Sequence, residues 1–96
     1  MASKKKNQVI VRTYSAGVHY GSLVSQKGKE VVLADARRIW RWRGANTLHE
    51  VARTGIASDK SAVSVPVAKI VLTEAIEILP CSEAAAKTIE ATKWQP

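Results

Sequence analysis

Four short stretches rich in β-branched residues follow one another between residues 8 and 43, and the breaks between them are only two or three residues long. The first is Gln8-Val9-Ile10-Val11-Arg12-Thr13-Tyr14, ended by Ser15-Ala16-Gly17. The second runs from about Val18 to Gln26 and ends at Lys27-Gly28. The third is Lys29–Ala34, and the fourth covers about Arg37–Arg43 after a bend at Asp35-Ala36. Breaks this short join antiparallel strands, because a parallel pair needs a long crossover between its members. The spacing therefore predicts an antiparallel meander. Alternation in the second strand puts Val18, Tyr20 and Val24 on one face and His19, Gly21 and Leu23 on the other. The unbroken Val31-Val32-Leu33-Ala34 predicts burial of the third strand on both faces.

After Gly44-Ala45-Asn46 the pattern changes. Thr47-Leu48-His49-Glu50 has the form of a capping box, with Glu50 three residues after Thr47. It predicts a helix of barely two turns, with Leu48, Val51 and Ala52 inward and Gly55 at its end. Residues 56–66 read as a surface loop. Residues 67–79 read as one long strand stopped by Pro80, with Ile70, Leu72, Ile76 and Ile78 on one face, interrupted by Glu74. A helix competes there because Glu and Ala are common, but the β-branched content favours the strand. Ser82 can cap a last helix over 83–92 with Ala85, Ala86 and Ile89 inward, and Trp94 is expected to fold back onto the body. The fold class expected is α+β, a small, mostly antiparallel sheet with one or two short helices. Residues 1–7 form a flexible basic arm and residues 8–96 a single domain.

Ninety-six residues, 46% of them hydrophobic, support one core. No apolar run reaches the roughly 18 residues of a membrane span, and the basic start leads into no signal-peptide core. We therefore expect no membrane association and a cytoplasmic protein. The single cysteine, Cys81, leaves no intrachain disulfide and fits a reducing compartment. The net charge of +7 points to an anionic partner. That charge is lopsided: residues 1–43 carry ten Lys and Arg against two acids, residues 44–96 five against six.

The most informative segment is Arg37-Arg38-Ile39-Trp40-Arg41-Trp42-Arg43. As a strand it places Arg37, Ile39, Arg41 and Arg43 on one face and Arg38, Trp40 and Trp42 on the other. Arginine offers a planar fork for phosphate, and tryptophan a flat face for a base. Together they are what a nucleotide or single-stranded nucleic acid site requires. The simpler reading makes Trp40 and Trp42 core residues in a domain without Phe, with the arginines solvated. Tyr14, Arg12 and His19, near the Ser15–Gly17 break, are candidates for a polar rim. No nucleophile motif, phosphate loop, carboxylate pair or metal-ligand spacing occurs, and Cys81 reads as a small apolar filler. We expect no enzyme, no cofactor and no metal.

The segments 11–21, 28–33, 36–42 and 70–81 resemble a group of small phage and prophage proteins, and the likeness spans about residues 9–90. Within that group the chain is similar to the Thoeris anti-defence sponges. The resemblance implies a protein of the bacterial host cell that binds and sequesters small phosphorylated nucleotide signals, of the cyclic ADP-ribose or cyclic oligonucleotide type, without cleaving them. Arg37, Arg38, Arg41, Arg43, Trp40, Trp42 and Tyr14 are the right residue types for such a ligand. A drug-sized pocket of roughly 300 Å³ or more forms most easily between subunits of so small a chain, so a homo-oligomer is part of this expectation. Two alternatives stand beside it: a DNA- or RNA-binding protein using the Arg/Trp strand, and a phage structural or assembly protein in which Arg and Trp anchor a protein interface.

Overall fold

The computed structural model describes residues 7–94. It is the α+β domain expected: a six-stranded, antiparallel sheet with two short helices. The strands are β1 (Gln8–Thr13), β2 (Val18–Lys27), β3 (Glu30–Arg41), β4 (Ala62–Val63), β5 (Val67–Leu72) and β6 (Ala75–Pro80); the helices are α1 (Leu48–Thr54) and α2 (Glu83–Ala91). The lysines of the expected arm, Lys4–Lys6, lie outside the described residues.

The meander β1-β2-β3 forms as the short breaks require, with Lys27 opposite Glu30 across the Gly28 turn. Several expectations need correction, among them the surface loop over 56–66, which holds β4 with Ala62 and Val63 fully buried beside β3. The third and fourth strands are one strand. Asp35 adopts a left-handed conformation (φ 50°) and makes a bulge where a bend was expected, so β3 kinks but stays paired with β2 on both sides of it. Gly21 lies across from this kink, and a Cβ there would sit 3.0 Å from the Ala34 carbonyl oxygen. A side chain there would crowd the Ala34 carbonyl, so glycine suits this close approach of the two backbones.

A further correction concerns residues 67–79, which are two strands. Thr73 and Glu74 turn the chain, β5 pairs with β3, and β6 pairs with β1. In the order β5-β3-β2-β1-β6 the outer strands would stand roughly 19 Å apart in a flat sheet with about 4.8 Å per step. The link from Leu72 to Ala75 spans at most about 11 Å, at 3.8 Å per Cα step. The sheet must therefore curl, and the Ala75 N–H reaches across to the Lys29 carbonyl at 3.1 Å.

Curling gives two cores. Inside the curl Val9, Val11, Val31, Leu33, Ala36, Leu72 and Ala75 pack together, drawing on both outer strands. On the opposite side Ile10, Tyr20 and Ile39 meet Leu48, Val51, Ala52 and Ile56, together with Ala86 and Ile89 of α2. The strand buried on both faces is thus β1. In the third segment Val31 and Leu33 are buried, but Val32 and Ala34 are only half-covered, because no helix lies over them.

Local signals set the helices. Thr47 Oγ1 accepts from the Glu50 N–H at 3.3 Å, and Glu50 Oε1 accepts from the Asn46 N–H at 2.8 Å. Gly55 ends α1. Ser82 Oγ accepts from the Ala85 N–H at 3.0 Å and donates to the Arg53 carbonyl at 2.7 Å, tying the start of α2 to the end of α1. Buried Tyr20 fastens α2 to the sheet. Its hydroxyl donates to Glu90 Oε2 at 2.6 Å and accepts from Gln8 Nε2 at 2.8 Å. Burial first, and the neighbouring Glu90 second, push the Tyr20 phenol well above its ordinary pKa.

Candidate functional site

The second half of β3 distributes its residues to opposite sides. Arg37 and Ile39 turn toward the helices, while Arg38 and Trp40 turn outward at the end of the curl. The Arg38 guanidinium lies 5.3 Å from the centroid of the Trp40 ring, a cation–π contact. Trp40 also meets Trp94, with ring centroids 6.2 Å apart and planes at 60°. Both rings stay open to solvent, Trp40 at 58% and Trp94 at 52% exposure. Large apolar rings left exposed side by side mark a contact surface.

The β1–β2 loop backs this group. Gly17 has φ 85°, and a Cβ on it would fall 2.9 Å from Arg38 Nη2, so the guanidinium rests directly on the loop backbone. His19, opposite Arg38 in the ladder, is buried, and its Nε2 lies 2.9 Å from the Ala16 carbonyl. A carbonyl only accepts, so Nε2 carries the proton. Burial lowers the His19 pKa, the Ala16 bond works against that, and the Arg38 charge adds to the lowering. His19 is therefore a neutral support for the loop beneath Arg38.

Arg37 has a different fate. Its Nε donates to the Ser64 carbonyl at 2.7 Å, and its Nη2 to the carbonyls of Thr92 at 2.6 Å and Val63 at 3.4 Å. Its Nη1 donates to the carbonyls of Ile89 and Glu90, each at 3.2 Å. Burial lowers its pKa and the charge of Glu90 opposes that. Every guanidinium nitrogen is spent on main chain, so Arg37 offers no fork to a phosphate.

The other expected residues separate as well. Trp42 does not share the outward face with Trp40. The strand ends at Arg41, and Trp42 folds half-buried against the helix-side core. Arg41 is half-buried opposite Ala62, and Arg43 is exposed, its main chain held by Ser61 and Ala57. Arg12 pairs with Glu77 at 2.9 Å across β1 and β6. Tyr14 is 80% exposed, and its N–H donates to the Glu74 carbonyl at 3.0 Å. Ser15 also donates to the Glu74 carboxylate. Arg12 and Tyr14 thus have their partners at the β6 edge and not in the Arg38–Trp40 group.

Trp94 is the member of the site that sequence reasoning missed. A tryptophan shortly after an amphipathic helix signals a fold-back, but nothing local tells which ring it will meet. Beside it an open cleft of about 450 Å³ is lined by Ser58, Asp59, Ala91, Lys93 and Trp94. A larger groove of about 600 Å³ runs between α1 and β6, floored by Ala52, Ile78, Leu79 and Pro80. Cys81 sits half-buried beside the helix-side core, and burial pushes its thiol up to about 12, so it is no nucleophile at neutral pH. Among the described residues no three His, Cys, Asp or Glu side chains gather to hold a metal, and no helix is long and apolar enough to cross a membrane.

A family described as a domain of unknown function, DUF6948, matches residues 6–89, and the chain belongs to it. No curated protein and no solved structure matches the chain. The family span covers all of the sheet and most of α2 but stops short of Trp94.

Proposed function

We propose that this protein is a non-catalytic binder of phosphorylated nucleotide ligands, and that short single-stranded nucleic acid is the class its surface fits best. The observation that carries the reading is the open pair Trp40–Trp94 with Arg38 against it. Two exposed indoles present stacking surface to any base, at about 1–3 kcal/mol per base. Arg38 on β3 supplies a phosphate contact beside the rings, and Arg43, exposed two residues past the strand's end at Arg41, supplies another. The net charge of +7 draws a polyanion in. An open surface gains affinity by summing several such contacts, which a polymer offers and a single nucleotide does not.

The test is tryptophan fluorescence titrated with a ten-nucleotide oligothymidine. Quenching at micromolar strand is expected, with affinity falling roughly 20-fold from about 50 to about 200 mM salt if about three phosphates are neutralised. Trp40→Ala should cost roughly 5- to 150-fold in affinity. Absence of binding at low salt, or binding indifferent to Trp40→Ala, overturns the reading.

The cleft beside Trp94 favours a second reading, the sequestration of a small signal nucleotide of the kind that the Thoeris sponges withhold. Its volume of about 450 Å³ exceeds the roughly 300 Å³ at which drug-sized pockets begin, and Lys93 and Trp94 are suitable lining. This reading calls for a second copy of the chain to close the cleft, hence a homo-oligomer. A cyclic nucleotide that displaces the oligothymidine, with only a shallow salt dependence, would select it.

A further inference from the structure

Trp94 lies beyond the last turn of α2, in a segment without regular structure, yet it meets Trp40 edge-on. The last turn of α2 contains no basic residue, so its terminal carbonyls lack the usual local cation. Arg37 supplies one from β3, three residues before Trp40. Its guanidinium gathers the carbonyls of Ile89, Glu90 and Thr92 on one side and those of Val63 and Ser64 on the other. The shortest of these bonds, 2.6 Å, goes to Thr92, two residues before Trp94. The Thr92 N–H and hydroxyl are themselves tied back to the Ile89 and Thr88 carbonyls.

We infer that Arg37, which touches no ligand itself, is the positioning residue that sets Trp94 against Trp40 and makes the stacking platform two rings wide. The inference rests on the reading of Trp40–Trp94 as the binding surface, but the geometry of the pair can be measured without any ligand. Two indoles this close couple their excited states and give a paired signal in the far-ultraviolet circular dichroism.

The decisive variant is Arg37→Lys, which keeps the positive charge and loses the planar fork. It is compared with Trp94→Ala and with the double variant. Arg37→Lys should lose at least half of the paired indole signal. It should weaken oligothymidine binding by about the same factor as Trp94→Ala, and the double variant should be no weaker than Trp94→Ala alone. An unchanged indole signal in Arg37→Lys overturns the inference, as does a strictly additive double variant. Should Arg37→Lys not fold, the wild-type protein decides. In a urea titration followed by nuclear magnetic resonance, the slow exchange of the Arg37 Nε–H and the indole signal should vanish together. An indole signal that outlasts that protection overturns the inference. A wild type that shows the paired signal and its dependence on Arg37, yet binds no oligonucleotide, refutes the binding reading and leaves the positioning role standing.

Discussion

Arg37 and Arg38 are adjacent in the chain, equal in chemistry and opposite in use. Arg37 points to the helix side and is consumed by five carbonyls. Arg38 points outward and lies over an exposed indole. The same division repeats two steps on, where Ile39 is core and Trp40 is surface. One face of this half-strand holds the molecule together and the other meets the solvent, because alternation sends consecutive side chains to opposite sides of a sheet. A cluster of basic and aromatic residues in a sequence is thus not one site. It is a site interleaved with the support for that site.

The contrast is broken most sharply by truncating each arginine in turn. Arg37→Ala removes the cation at the end of α2 and strips partners from several carbonyls. It should lower stability by about 3 kcal/mol, read in chemical denaturation. Arg38→Ala should leave stability within about 0.5 kcal/mol and act on oligonucleotide affinity alone. Equal loss of stability in the two variants would dissolve the distinction.

The tryptophans sharpen it at smaller scale. Half-buried Trp42→Ala should cost about 2 kcal/mol of stability with little direct effect on binding. Trp40→Ala should cost less than about 1 kcal/mol of stability while lowering affinity. The smallest effect concerns His19, whose folded pKa lies below its unfolded value of 6.5. A depressed histidine contributes stability that is complete above the unfolded pKa, because the unfolded chain takes up the proton first. Stability should therefore fall as pH drops below about 6.5 toward the folded value. His19→Gln should flatten that part of the curve, and a wild-type curve flat across this range would show that His19 is not the neutral support described.

Much of the architecture is legible in the residues themselves. The short breaks announce an antiparallel meander, Thr47 with Glu50 and Ser82 announce both helix starts, and Ala85, Ala86 and Ile89 announce the buried stripe of α2. These are local signals, carried by groups at most four residues apart, so a linear reading captures them. The turn at Thr73–Glu74 carries no glycine or proline, and Glu74 alone interrupts the apolar pattern there. Asp35 likewise reads as a bend because its bulge is visible only against β2.

The candidate site was half legible. Arg38 and Trp40 stand out by type and spacing, and period-two alternation separates Arg37 from them correctly. What alternation cannot supply is occupancy. The partners of Arg37 lie 26 to 55 residues away, and its fate depends on where α2 ends against β3. Trp42 leaves the face of Trp40 because β3 ends at Arg41, and Trp94 meets that face from beyond the end of α2, which Tyr20 and Arg37 bond to the sheet. The sequence by itself determined the antiparallel meander, the helix caps, the excess of positive charge and the pairing of arginine with tryptophan in one segment, but not where the strands begin and end. The tertiary structure alone decided which arginine is free, which two of the three tryptophans meet, and that the sheet closes on itself. Those outcomes depend on pairings across many residues, and a curled sheet brings such residues together by closure of the whole chain, which no local pattern encodes.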